Sequence, residues 1–217
     1  SIAHYETYND SPATRLVLDS GVPVQELLYP KQTITGGSLS FYNQRLKSVL
    51  RVEMAYHWDE PMFIPEANLA VPNAEVLTKD VLRFAVAVDK NLWLRALNKK
   101  SMFNLTLQYY GEQIQDYDER IRLAAFDYPS GDYAKRKEYE QKYMLLMYTN
   151  YLNGKVNPQL SVAYDPRSAW LVLPQVNFIY DPWRLTVQYA YADGPDDVSF
   201  GFYRDRDQLS FTVSLLF

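Results

Sequence analysis

Over stretch after stretch of this chain, apolar and polar residues alternate one by one. In the last stretch Leu209, Phe211, Val213, Leu215 and Phe217 are apolar, with Gln208, Ser210, Thr212 and Ser214 between them. Successive side chains of a β-strand point to opposite faces, so this spacing predicts a strand with one oily and one polar face. The same alternation sets Trp183, Leu185, Val187, Tyr189 and Tyr191 against Arg184, Thr186, Gln188 and Ala190, and Leu160, Val162 and Tyr164 against Gln159, Ser161 and Ala163. Upstream, Phe103, Leu105, Leu107 and Tyr109 alternate with Asn104, Thr106 and Gln108. Leu82, Phe84, Val86 and Val88 alternate with Arg83, Ala85, Ala87 and Asp89, and Leu50, Val52, Met54 and Tyr56 with Arg51, Glu53, Ala55 and His57. Two segments are less regular. "LVLPQVNFIY" places Leu171 and Leu173 on its otherwise polar face, and "KYMLLMYTNY" is apolar on both faces near its middle, which leaves its direction open.

The connections alternate too. Short turns are predicted at 43–46, 153–155 and 181–182, and long polar segments at 59–79, 113–137 and 192–205. An intermediate connection at 90–100 has room for a short helix around "LWLRALN", and the loop at 165–167 is short. Strands of about ten residues joined alternately by short turns and long loops are the layout of an outer-membrane barrel. With Phe217 at the periplasmic end, every clear short turn is periplasmic and every long loop external, through nine strands counted backward. "IAHYETY" supplies a tenth. The expected fold is therefore all-β: a transmembrane antiparallel up-and-down β-barrel, with residues 1–217 forming one barrel domain or the C-terminal portion of a larger barrel. A complete ten-strand barrel is the alternative, and its lumen would be mostly filled by side chains.

Composition sharpens this picture. No run approaches the roughly 18 apolar residues of a membrane helix. Tyrosine reaches 19 of 217 residues and aromatics 15%, more than a soluble core requires. The rings fall at strand ends: Tyr151, Tyr180, Trp183 and Phe217 near the short turns, and Tyr56, Tyr109, Tyr164, Trp170, Tyr189 and Tyr191 near the long loops. Amphipathic rings gather in this way at the two headgroup layers. A soluble β-sandwich explains the alternation but neither the loop parity nor the aromatic ends. Cysteine is absent, which removes disulfides and thiolate chemistry, and a net charge of −4 offers no footprint for nucleic acid. The opening "SIAHYETYND" carries no secretory leader, as expected of a mature or truncated chain.

The closing strand, with its apolar alternation ending on Phe217, resembles the C-terminal signal by which outer-membrane proteins are recognised for barrel insertion. The segments "GGSLSFYNQRLKSVLRVEMAYHWDEP", "DVLRFAVAVDKNLWLRALNKKSMFNLTLQYYGE" and "LPQVNFIYDPWRLTVQYAYADG" resemble a large uncharacterised family of Gram-negative outer-membrane barrels. Its genes lie near efflux-type lipid transporters and a periplasmic lipoprotein-carrier-like protein, and its members are about twice this length. The resemblance implies passage or export of hydrophobic or lipid-like molecules. It also implies contact with outer-membrane lipid and lipopolysaccharide, with the barrel-insertion machinery, and with a missing N-terminal segment or other envelope proteins.

The polar face would line the lumen with Arg51, Glu53, Arg83, Asp89, Arg184 and Gln188, since charge on the lipid face costs roughly 2–4 kcal/mol at the midplane. Such a set either selects solute or fills the lumen as an internal network, for example with Arg51 beside Glu53 and Arg83 bonded to a neighbouring strand. The loop acids at 59–61, 116–120, 194–197 and 204–207 lack the spacing of a calcium loop and read as solvated charge. His57, near Ser48 or Glu53, is the only starting point for a hydrolase set, and no nucleophile elbow, P-loop or paired metal-binding histidines accompany it. The expectation is a passive channel or export conduit without enzymatic activity, cofactor or metal, or alternatively a scaffold barrel that grips a partner.

Overall fold

The computed structural model describes residues 1–9, 12–127, 132–196, 198 and 200–215. Phe217 and Asp197, singled out above, lie outside the described residues. The strands are β1 (Ile2–Tyr8), β2 (Ala13–Asp19), β3 (Val22–Leu28), β4 (Lys31–Asn43), β5 (Ser48–Pro61), β6 (Thr78–Leu92), β7 (Phe103–Ile114), β8 (Arg122–Asp127), β9 (Asp132–Lys135), β10 (Tyr139–Tyr148), β11 (Val156–Asp165), β12 (Ala169–Tyr180), β13 (Trp183–Asp193) and β14 (Gln208–Leu215). A short α-helix, α1 (Pro65–Asn68), sits between β5 and β6. No helix among the described residues is long and apolar enough to cross a membrane.

The protein is all-β, and its strands pair antiparallel. Ten strands form one sheet in the order β1-β4-β5-β6-β7-β10-β11-β12-β13-β14, while β2-β3 and β8-β9 form separate two-stranded sheets. A closed wall is not found among the described residues: β1 and β14 are the two edges of an open sheet. Every alternating segment read from the sequence is a strand of the large sheet.

The chain divides into two compact units. Unit 1 comprises residues 1–39, 53–84 and 111–140, and unit 2 residues 40–52, 85–110 and 141–217. In unit 2 the register keeps the two faces separate across five strands. On one face Leu209, Phe211 and Val213 stand opposite Tyr189, Val187 and Leu185, and Val187 and Leu185 stand opposite Val176 and Phe178. On the other, Ser210 and Thr212 face Gln188 and Thr186, which face Gln175 and Asn177, which face Gln159 and Asn157. A one-residue slip at any pairing would exchange the faces, so the period-2 pattern holds the register. β10 takes its direction from β11. Tyr143, Leu145 and Met147 face Tyr164, Val162 and Leu160 on the apolar side, and Met144 and Leu146 face Ala163 and Ser161 on the other.

Unit 1 departs from the sequence reading. The segments 59–79 and 113–137, read as polar loops, carry several of the most completely buried apolar side chains, among them Met62, Ile114 and Ile121. Met62, Ile64 and Ile121 pack with Val81 and Ile114 into a core joined by Ala67, Leu77 and Tyr117. Met62 N–H donates to Leu77 O at 2.7 Å and the Tyr117 hydroxyl to Arg136 O at 2.6 Å, which ties both connections down. The hairpin β2-β3 has no counterpart in the sequence reading. Its two-residue turn, Ser20–Gly21, has φ of 51° and 83°, as a type I′ hairpin turn requires. The connection at 90–100 forms a single turn, with Leu97 and Asn98 N–H groups donating to Leu94 O, rather than a helix.

Candidate functional site

Two polar constellations stand out, one in each unit. In unit 2, β5 supplies Arg51, β6 Asp89 and β7 Thr106, all on the face that alternation marks as polar. Arg51 Nε donates to Asp89 Oδ2 at 2.7 Å and its Nη2 to Oδ1 at 3.2 Å, while the Thr106 hydroxyl donates to Oδ1 at 2.6 Å. This bidentate pair replaces the expected association of Arg51 with Glu53, which is exposed. Arg184 is exposed and in register with Ile179 and Ser214, and Gln188 is in register with Gln175 and Ser210. The irregular apolar positions converge here as well. Met144, Leu146, Leu171 and Leu173 border a cavity of about 380 Å³ whose polar edge includes Arg51 and Thr106. An oily patch on an otherwise polar face is the reason neither segment alternates cleanly.

Aromatic contacts in unit 2 run from strand to strand. Tyr109 meets Tyr143 at 5.1 Å between ring centroids, Tyr143 meets Tyr164 at 6.4 Å, and Tyr164 meets Trp170 at 4.2 Å. The Tyr189 hydroxyl donates to Asp207, and Tyr191 stands opposite Val172. At the short-turn ends Tyr180 is opposite Trp183, and the Tyr151 hydroxyl donates to Leu97 O at 3.2 Å. In unit 1 the rings of Tyr56 and Trp58 are 4.5 Å apart.

Unit 1 holds a closed ring of alternating charge. Arg83 contacts Glu60 Oε2 through Nη1 at 2.7 Å and Glu112 Oε2 through Nε at 2.7 Å. Arg136 Nη2 reaches Glu60 Oε1 at 3.1 Å and Glu112 Oε1 at 2.6 Å. Each carboxylate thus bridges both guanidiniums, and bonds of this charge-assisted kind are the strong ones. The Glu60, Glu112 and Arg136 side chains are only 9%, 13% and 14% exposed. His57 lies beside the ring, its Nδ1 3.9 Å from Glu60 Oε2, too far for a hydrogen bond.

His57 follows Tyr56 on β5, and Glu112 lies near the C-terminal end of β7. Burial, reinforced by the Arg83 charge, holds the His57 imidazole below its ordinary value, so its neutral form is favoured. Burial alone would raise the Glu112 carboxyl, but Arg136 and Arg83 together overturn that and leave it below the usual range. Glu60, the acid beside His57, is ion-paired to Arg83 and Arg136, and among the described residues no serine is hydrogen-bonded to the imidazole. Of the loop acids, Asp118 pairs with Arg120 at 2.6 Å and Asp196 with Arg204 at 3.1 Å. Among the described residues no group of three acids or histidines is placed to hold a metal ion.

Residues 4–217 match the family described as Protein of unknown function (DUF1302). The chain belongs to that family. No curated protein and no solved structure matches it.

Of the six residues expected to line a lumen, Arg51 and Asp89 are bonded to each other, and Arg83 is the member that reaches the charge ring. Of the other ring members, only Glu112 keeps to the alternation. Glu60 falls on the apolar count of β5, but Asp59 has a φ of 51°, and a left-handed residue within a strand interrupts the alternation as a bulge does. Glu112 follows the polar count of β7, one turn of the pattern beyond the strand read from sequence. Arg136 lies in a segment read as loop, and only the fold of that segment brings it to the ring.

Proposed function

We propose that this chain is a bacterial outer-membrane β-barrel protein, or the part of one that forms most of its wall, acting as a passive conduit for hydrophobic or lipid-like molecules. The observation that carries this reading is the oily face that runs in register from β10 to β14, opposite a face that is polar apart from the patch of Met144, Leu146, Leu171 and Leu173. Leu209, Phe211 and Val213 are 57%, 65% and 63% exposed on one side. A soluble protein rarely leaves so continuous an oily band uncovered, whereas hydrocarbon favours it. Strand lengths support the reading: β10 to β13 run 10 to 12 residues, against about 5–6 in an average soluble strand. The resemblance to outer-membrane barrels and the apolar patch on the polar face point to a lipid-like cargo.

The testing experiment is conductance of the protein purified from membranes and inserted in a planar bilayer. Wild type is expected to conduct, and Arg184→Glu to shift ion preference toward cations. A protein that inserts but never conducts would overturn the channel reading.

The unpaired edges favour a second reading, a scaffold wall within a larger assembly. β1 and β14 are paired on one side only, and an open edge in a bilayer must find a partner strand. Cross-linking from cysteines placed on β1 and β14 distinguishes the two: edge-to-edge bonding within one chain supports a closed conduit, and bonding to another protein supports the scaffold.

A further inference from the structure

Unit 1 contains a cavity of about 480 Å³ beside the charge ring, within the range of roughly 300–1,000 Å³ typical of small-molecule sites. One part of its wall is apolar, with Ile34, Met62 and Phe63. The rest is rich in donors. Arg83 and Arg136 line it but are matched within the ring by Glu60 and Glu112. Arg122 also lines it and is not matched: its Nη1 donates to the backbone carbonyls of Glu119 at 2.5 Å and Ile121 at 3.1 Å, and it makes no ion pair with a described carboxylate. Among the described residues, three guanidiniums are thus set against the two carboxylates of the ring, leaving one positive charge in excess. Gln32 on β4 lines the same cavity, is only 6% exposed, and its side-chain nitrogen has no partner among the described residues. His57 Nδ1 is likewise buried without a hydrogen bond.

A single surplus positive charge, open donors and an apolar wall select against cations and against dianions, and in favour of a monoanion with an oily body. We propose that this cavity binds an amphiphilic monocarboxylate. Its carboxylate takes up the Arg122 charge, its remaining acceptor capacity serves the open Gln32 donor, and its apolar body lies against Ile34, Met62 and Phe63. Guanidinium and carboxylate match in geometry as well as charge. The site lies wholly within unit 1, and its chemistry does not depend on the strands crossing a membrane.

Titration calorimetry of the purified full chain tests this, with 2-naphthoate as probe and 2-naphthalenemethylamine and inorganic phosphate as comparators, each corrected for titration into the carrier detergent. Saturable binding of 2-naphthoate alone is expected. Arg122→Gln should weaken it by about tenfold or more, and Gln32→Leu by several-fold. Arg122→Lys, which keeps the charge, should restore much of the loss, and Lys155→Gln, outside the cavity, should change nothing. The proposal is overturned if 2-naphthoate shows no binding at about 1 mM. It is equally overturned if the amine or phosphate binds as well, or if the Gln and Lys variants at position 122 behave alike.

Discussion

Replacing Phe211 by Arg asks directly which medium wets the exposed face. Phe211 lies near the middle of β14, opposite Val187, and 65% of it is exposed. If that face meets water, the change places a charge where water already is, and surface substitutions of this kind stay within about 0.5 kcal/mol. If it meets hydrocarbon, the arginine costs about 2–4 kcal/mol near the midplane, a shift of about 30- to 900-fold in the folding equilibrium. The neighbouring Thr212 points the other way, opposite Thr186, so Thr212→Arg serves as an internal control expected to cost no more than about 1 kcal/mol. The assay is reversible guanidinium unfolding of protein reconstituted in lipid vesicles, followed by tryptophan fluorescence. Phe211→Arg as stable as wild type, with Thr212→Arg the damaging change, would refute the assignment of faces.

Further outcomes are expected at four sites. Glu112→Gln removes a carboxylate that holds two guanidiniums and should cost about 3 kcal/mol in urea unfolding. Because the Glu112 carboxyl is held below its ordinary value, its contribution is full above the unfolded value of about 4.3 and lost as pH falls through the folded one, so wild type and variant should converge in acid. The lowered His57 imidazole has the same sign, with stability full above about pH 6.5 and falling below it, and His57→Gln should flatten that upper part of the profile. Gly111→Ala would place a Cβ 2.4 Å from Phe84 Cζ and should cost about 1–3 kcal/mol, with Phe84→Leu in the same chain recovering most of it in thermal melts. Asn98 is buried, donates to Thr149 Oγ1 at 3.0 Å and Asn150 O at 2.9 Å, and accepts from Lys100 and Ser101 N–H at 3.0 Å each. Asn98→Ala should therefore cost about 2–3 kcal/mol and speed hydrogen exchange at those two amides.

The sheet was legible in the sequence because a strand with one apolar and one polar face writes that difference at every second residue. Leu209 to Leu215 and Trp183 to Tyr191 are instances, and their pairing in register follows from the pattern. The core of unit 1 was not legible for the opposite reason. Met62, Ile64 and Ile121 are isolated apolar residues in polar segments, and only tertiary packing brings them together. The hairpin β2-β3 left one usable sign, Ser20–Gly21 between two apolar stretches, but Pro23 at the head of the second stretch weakens a strand reading. The charge ring mixes both cases: Arg83 and Glu112 obey the alternation, the turn of backbone at Asp59 moves Glu60 out of it, and Arg136 belongs to no period at all.

The way Arg136 reaches its partners also sets what holds the segment it belongs to. Glu60, Arg83 and Glu112 come from β5, β6 and β7, whereas Arg136 follows β9 and meets Glu60 across 76 residues of sequence. The ring is thus a clasp as well as a balance of charge: it fastens the far end of a connection to strands that pair without it. Arg136→Gln should therefore loosen Arg136's own neighbourhood, read as faster hydrogen exchange at the Ile121 and Arg122 amides, while β5, β6 and β7 keep their protection.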